Sequence, residues 1–484
     1  MKRAARLGGL VLLIGAVPAN GQTVRLSGSA QVRYIELRPL VSDSIVADLA
    51  PGEGLLRQTA DGRIVRCLPG DAFCRDVHPG ARTSTIPVIQ DVEISAWGFG
   101  RGTYAFAQLR GRGALGGSEL WPQADDAFDL LAAYAELARE RFRVRAGRQW
   151  KVSGLGFYNF DGIAVEVQPL RVAALEVYGG RSLLRGLNEP RTGGALESIE
   201  ALAPPAGGVL LGVHARYQPR RTAAFSAVYQ VDFRDDGAGL FAELFAADAA
   251  VRAGRFDTEA AIEVDVASAA INEARLRVRA PPVGRFVPYA EVRRYRPYFE
   301  LWTIWGAFSP VGYDEARAGV SWSDDASRLI LQGEATHRSY DATEAESSLD
   351  EFKQAGWGAA LNATWLPGAQ WRISGGYRTD AGFGAARREG SLGLAHELSE
   401  RASVALQAVA FERLYEFRLD QGTVLGIGAE AALRASERLR VVAGGASYWH
   451  LRGAQAASEW NQRRASLRVQ WTVGSEPGLL QVQP

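Results

Sequence analysis

The chain has 484 residues, 47% of them hydrophobic and 23% charged, with 54 glycines, 20 prolines and two cysteines. These values exclude a disordered chain, a collagen and a disulfide-built scaffold. The formal charge is +1, and Lys2, Lys151 and Lys353 are the only lysines, so the basic groups are almost all arginine; this balance argues against a nucleic-acid partner. Beyond residue 20 no run approaches ~18 apolar residues, so membrane-spanning helices are not expected.

Residues 1–21 carry Lys2, Arg3 and Arg6 ahead of the short apolar run Leu7–Val17, with small residues after it. This is the pattern of an export signal, cleaved after Ala19 or Gly21 and leaving 22–484 as the mature chain. An uncleaved interfacial anchor is the alternative. Export permits a disulfide, and the only cysteines, Cys67 and Cys74, flank a Pro-Gly turn in CLPGDAFC. So short a ring is expected to pin a loop tip. Two thiols with no second pair do not make a zinc site, and no metal or other cofactor is expected.

From Val24 onward, segments of about 9–12 residues alternate strictly between apolar and polar positions. Ala223, Phe225, Ala227, Tyr229, Val231 and Phe233 oppose Ser226, Gln230 and Asp232; Ala465, Leu467, Val469, Trp471 and Val473 oppose Arg464, Ser466, Arg468 and Gln470. Side chains alternate faces along a strand, so each segment is an amphipathic strand. Soluble sandwiches use strands of about 5–6 residues. Strands of this length, greasy on one face and arginine-rich on the other, fit an all-β, antiparallel up-and-down transmembrane barrel.

Short polar joins occur at 98–102, 138–142, 168–171, 218–221, 253–256, 280–285, 323–327, 366–369, 398–401 and 435–438. Ten such joins and two chain ends predict about 22 strands, with a range of 18–24. The longer connections, 38–86, 113–126, 183–206, 296–312, 339–351 and 451–461, then share the other end. Segment 296–312 reads equally as loop or strand. Alternation starts at Val24, leaving no room for a plug domain before the first strand.

Residues 142–167 read FRVRAGRQWKVSGLGFYNFDGIAVEV. Gly147-Arg148-Gln149 followed by Phe160-Asp161-Gly162 resembles the large Gram-negative outer-membrane porins of the alginate-export and related substrate-channel type, over about 26 residues. The resemblance implies a monomeric or trimeric pore for polar solutes and does not extend to alginate itself. This chain departs from it in lacking a terminal aromatic residue; its tail is GSEPGLLQVQP. Arg148 falls on the apolar parity, where a lipid-facing Arg costs about 2–4 kcal/mol at mid-membrane and less near the headgroups. It belongs at a Gly147 bulge or at the headgroup level, and Asp161 has Arg148 and Lys151 as candidate partners.

The polar parity supplies the candidate pore lining: Arg143, Arg145, Glu166, Glu263, Asp265, Arg275, Arg277, Arg279, Glu291, Arg293, Glu334, Arg372, Arg378, Arg464 and Arg468, with Arg25 and Arg33 on the same side. Fixed charges in a bore set ion preference. They read either as paired wall charges that keep a wide pore wet or as a path selective for anions. Tyr298, Trp302 and Trp305 are candidates for an aromatic constriction, or for interfacial packing. Catalytic motifs are absent, and His337 beside Arg338 and Ser339 is the nearest approach to one, so no enzyme is expected. Three functional readings stay open: a passive channel for small polar or anionic solutes, a channel specific for oligosaccharide or acidic polysaccharide, and a structural or adhesive barrel. The expected setting is the bacterial outer membrane, with its lipid as partner and a homo-oligomer possible.

Overall fold

A computed structural model describes residues 23–37, 40–52, 56–62, 64–67, 70, 72–79, 81–116, 128–183, 208–234, 239–296, 312–341, 355–382, 385–415, 422–452 and 460–474. The export signal and the aromatic residues Tyr298, Trp302 and Trp305 lie outside this set. The first strand, β1 (Thr23–Leu37), is followed by four short ones, β2 (Leu40–Val46), β3 (Leu56–Gln58), β4 (Ile64–Cys67) and β5 (Phe73–Pro79). Long strands then resume with β6 (Thr83–Trp97), β7 (Thr103–Gly116), β8 (Phe128–Ala138), β9 (Phe142–Ser153) and β10 (Gly156–Leu170). Next come β11 (Ala173–Ser182), β12 (Gly208–Arg220), β13 (Ala223–Arg234), β14 (Leu240–Ala253), β15 (Phe256–Asp265) and β16 (Ala270–Arg279). They continue as β17 (Phe286–Tyr295), β18 (Tyr313–Asp324), β19 (Leu329–Tyr340), β20 (Ala355–Trp365) and β21 (Trp371–Gly382). The chain closes with β22 (Ala385–Ser399), β23 (Ala402–Tyr415), β24 (Gly422–Ser436), β25 (Leu439–Arg452) and β26 (Trp460–Val473).

The long strands form one 22-stranded antiparallel sheet in which β1 pairs with both β6 and β26. The sheet is therefore a closed barrel. Closure leaves no row of unpaired N–H and C=O groups, the condition for a sheet in hydrocarbon. All ten short joins are turns at one end of it, which we call the short-turn end. No plug domain occurs among the described residues.

The pairing register sorts the side chains. Residues opposite one another in an antiparallel pair share a face. Val32, opposite Leu467, is 39% exposed and Leu467 is 46% exposed, on the outer surface. Arg33 sits opposite Ser466 and Gln31 opposite Arg468, facing the lumen. Trp365, Trp371 and Trp471 face outward near the short-turn end, where Trp371 stacks on His396 at 3.9 Å. The buried clusters are small, because a barrel presents its apolar residues to lipid.

The cysteine segment is more than a pinned loop tip. Strands β2–β5 make a second, four-stranded sheet, with Cys67 and Cys74 joined and facing each other across β4 and β5. Ala50, Val65 and both cysteines form its core, flanked by Ile45 and Ala47. So few apolar groups cannot hold a sheet alone, and the cross-link supplies roughly 2–3 kcal/mol. Replacing both cysteines by serine is expected to make the 40–79 segment protease-sensitive while the barrel's thermal transition stays where it was. A barrel that melted earlier in the same variant would show that the two sheets are energetically one unit.

Candidate functional site: the lumen and its inward hairpin

The GRQ and FDG residues mark where the wall lets go of a hairpin. The β8–β9 ladder ends at Ala133 opposite Arg148, and the β10–β11 ladder ends at Phe160 opposite Ser182. The β9–β10 ladder runs on to Ser153 opposite Gly156. Residues 150–158 therefore have no ladder partner in the wall.

Each motif residue serves that departure. Gly147 has φ +127°, and a Cβ there would lie 2.2 Å from the Ala133 carbonyl oxygen. Arg148 forks onto Asp161, Nε to Oδ1 and Nη2 to Oδ2 both at 2.7 Å, and its Nη1 donates to the Leu130 carbonyl at 2.9 Å. That carbonyl borders a bulge in β8, where the register with β7 shifts. Asp161 therefore pairs with Arg148 and not with Lys151. Gln149 is buried and donates from Nε2 to the Gly162 carbonyl at 3.1 Å.

The hairpin tip lies inside the barrel. Leu155 is buried against Val228, Leu244 and Ala246, which face the lumen on β13 and β14. To reach them the hairpin passes over β11 and β12. At about 4.8 Å per strand it spans roughly 15–20 Å. Twenty-two tilted strands enclose roughly 40–45 Å between backbones. Among the described residues the hairpin thus fills one side of the lumen and leaves the other side clear. Beneath it, Tyr178 is buried, stacks near Phe160 at 5.7 Å and donates to Gln230 Oε1 at 3.0 Å. Gly212 makes room for that ring. A cavity of about 330 Å³ remains beside the tip, lined by Leu155, Tyr158, Asp232, Glu263, Glu273 and Arg293 among others.

The register places every described member of the candidate lining on the lumen side, with differing duties. Arg143 and Arg145 both meet Glu136, at 3.5 and 2.7 Å, and Glu166 is in close contact with Arg216. Glu263 accepts from Asn272 Nδ2 at 3.0 Å. Asp265 sits at the mouth, where its Oδ1 accepts from the Ser268 N–H at 3.1 Å and braces the turn. Across β16–β19 the charges form a lattice. Arg293 meets Glu273 at 3.0 Å, and Arg277 lies 4.0 Å from Glu291. Glu315 takes Arg317 at 2.8 Å and Arg338 at 2.6 Å, while Arg317 also lies 3.7 Å from Glu334. Arg378 pairs with Asp380 at 2.6 Å. Arg275 and Arg279 face the same water.

Arg372, Arg464 and Arg468 differ. With Arg33 they border a cavity of about 760 Å³ that also takes in Gln31, Gln407, Gln462 and Glu430. Arg464 Nε donates to Gln462 Oε1 at 2.6 Å, a neutral acceptor. Among the described residues no carboxylate lies within ion-pair distance of Arg372, Arg464 or Arg468. In the ring order, β24 and β25 stand about half a turn from β13 and β14. The arginine wall therefore faces the hairpin across the open part of the bore.

Parity reading passed over Lys151, Glu176, His214, Glu136, Glu315, Arg317 and Glu430. Glu176 was recoverable, since it lies opposite Glu166 on the next strand. Lys151 was not, because its place depends on the hairpin's inward turn. His337 and Ser339 face outward while Arg338 faces inward, so the three do not converge. Among the described residues no three His, Cys, Asp or Glu side chains are grouped to hold a metal ion.

No family model matches the chain, and no curated protein matches it. Several solved barrels are similar in outline. OccAB4 of Acinetobacter baumannii shares 8% identity over 95% of this chain and 100% of its own, with a TM-score of 0.37. OpdQ of Pseudomonas aeruginosa shares 7% over 94% and 98%, at 0.40. The P pilus usher (PapC) translocation pore shares 10% over 93% and 100%, at 0.35. At such scores the likeness is no closer than that of one large barrel to another.

Proposed function

We propose that this chain is a bacterial outer-membrane channel through which small polar solutes, anions by preference, diffuse passively. The observation that carries this reading is the wall of Arg372, Arg464 and Arg468. Among the described residues these guanidinium groups have no carboxylate within ion-pair distance, and together with Arg33 they share their cavity with the single acid Glu430. An unneutralised cation in a bore raises the local concentration of anions, and Arg forks onto carboxylate or phosphate. The acids beside the hairpin that lack an arginine among the described residues, Asp232 and Glu263, oppose that wall and set up a field across the lumen that turns dipolar solutes. The outward apolar face and closed edges fit a lipid setting, with the short turns on the periplasmic side. The GRQ and FDG resemblance to substrate-channel porins agrees, and residues 1–21 supply the export signal. The barrel conducts without catalysing, and no cofactor takes part.

The test is a planar bilayer. The purified mature chain is expected to give discrete conductance steps, and a salt gradient is expected to give a reversal potential of the sign for anion preference. A barrel without steps would overturn the channel. Steps with cation preference would keep the channel and discard the anion path.

A further inference from the structure

Lys151 is the only lysine among the described residues, and it leaves the hairpin to meet the wall. Its ammonium is in contact with Glu176 on β11 and lies 5.2 Å from the centre of the Tyr178 ring. Glu176 is 3.8 Å from His214 Nδ1 on β12, and His214 Nε2 is 3.0 Å from Ser226 Oγ on β13. The chain Lys151–Glu176–His214–Ser226 thus crosses the strands that the hairpin overlies. Lys151 and Glu176 side chains are 11% and 15% exposed, which strengthens their attraction relative to a surface pair. Beyond the ladder ends the hairpin also rests on Leu155 among Val228, Leu244 and Ala246, on Tyr158 against the same cluster, and on Trp150, 6.1 Å from Phe106 on β7. A two-stranded hairpin is marginal on its own in water.

We infer that Lys151 is a latch that holds the hairpin against the wall and so keeps the bore open. It is a positioning residue for permeation, and the inference rests on the channel reading. With the latch gone, only the apolar packing of Leu155, Tyr158 and Trp150 opposes a swing about the ladder ends at Arg148 and Phe160. The freed hairpin enters the open half of the lumen and interrupts the flow.

The experiment uses the full mature chain in bilayers. Lys151→Ala is expected to raise the frequency of brief partial closures about tenfold, and Lys151→Arg is expected to restore a quiet current. A second pair of variants ties the noise to the hairpin. A Cβ on Gly154 would lie 3.0 Å from the Ala246 Cβ and 2.6 Å from Asp248 Oδ2, the end of a side chain that can turn away, so the tip needs to back off by roughly 0.5–0.8 Å to reach disulfide spacing. Gly154→Cys with Ala246→Cys, in a Cys67→Ser and Cys74→Ser background, locks the tip when oxidised. Oxidation is expected to silence the Lys151→Ala channel and reduction to bring the closures back. A quiet Lys151→Ala channel, or noise that survives the lock, overturns the latch while leaving the channel standing. Where no variant conducts, the channel reading fails, and the rate of forming the 154–246 cross-link decides the latch alone. That rate should fall with Lys151→Ala; an unchanged rate overturns it.

Discussion

Arg464→Glu with Arg468→Glu is expected to reverse the ion preference of the bore, changing the sign of the reversal potential under a salt gradient. Two positive charges become two negative ones on the wall where, among the described residues, Arg372, Arg464 and Arg468 have no acid within ion-pair distance. The Debye length is about 8–10 Å at moderate salt, so a permeating ion in that cavity feels these groups directly. The lattice at β16–β19 responds differently to change, because Arg277, Arg293, Arg317 and Arg338 there each meet an acid. Arg294→Gln is the control. Arg294 faces outward and pairs with Asp314 and Asp341 at 3.2 and 3.3 Å, so its loss should leave the reversal potential where it was. Anion preference that persisted in the double glutamate variant would mean that the selective wall lies elsewhere.

The second large effect is on assembly. A Cβ on Gly162 would lie 2.0 Å from the Gly179 carbonyl oxygen and 2.6 Å from the Gly180 Cα. The obstacle is backbone, which cannot rotate away. Gly162→Ala must therefore move β10 off β11, at a cost on the order of 1–3 kcal/mol or more. The expected result is loss of most of the heat-resistant, fast-migrating species on a gel, together with lower thermal stability. Gly333→Ala is the matched comparison. Gly333 is also a mid-strand glycine, but nothing lies within 4 Å of a Cβ there. It should assemble normally and gain a few tenths of a kcal/mol from the stiffer chain. Equal behaviour of the two variants would show that the narrow approach at Gly162 is not needed.

The barrel was legible because its two solvents differ so sharply. Lipid outside and water inside force a strict alternation, and each short turn must carry residues that neither strand can use. Hence Leu467 and Arg468, or Val144 and Arg145, declare their sides without any knowledge of partners. The four-stranded sheet at 40–79 was not legible. Its strands are three to seven residues long, too short for a period to show. The hairpin was hidden for another reason. A strand that turns into the lumen keeps its alternation, so Gln149, Lys151 and Ser153 read as if they still belonged to the wall. Only the ends of the β8–β9 and β10–β11 ladders reveal the departure. The arginine wall was half legible. Parity put Arg464 and Arg468 in the bore, but which lumen charges are neutralised depends on neighbours from distant parts of the chain, such as Arg33 and Arg372.

The pairing of β1 with β26 sets Leu26 opposite Val473, partners separated by nearly the whole chain. Strand β1 has only β6 beside it, and β26 only β25, until the two ends meet. Through that interval both present ready templates for aggregation. A contact of such long range also carries the largest loop-closure penalty in the molecule. The seam is therefore expected to be the last contact of the barrel to form, and an open edge persists until it does.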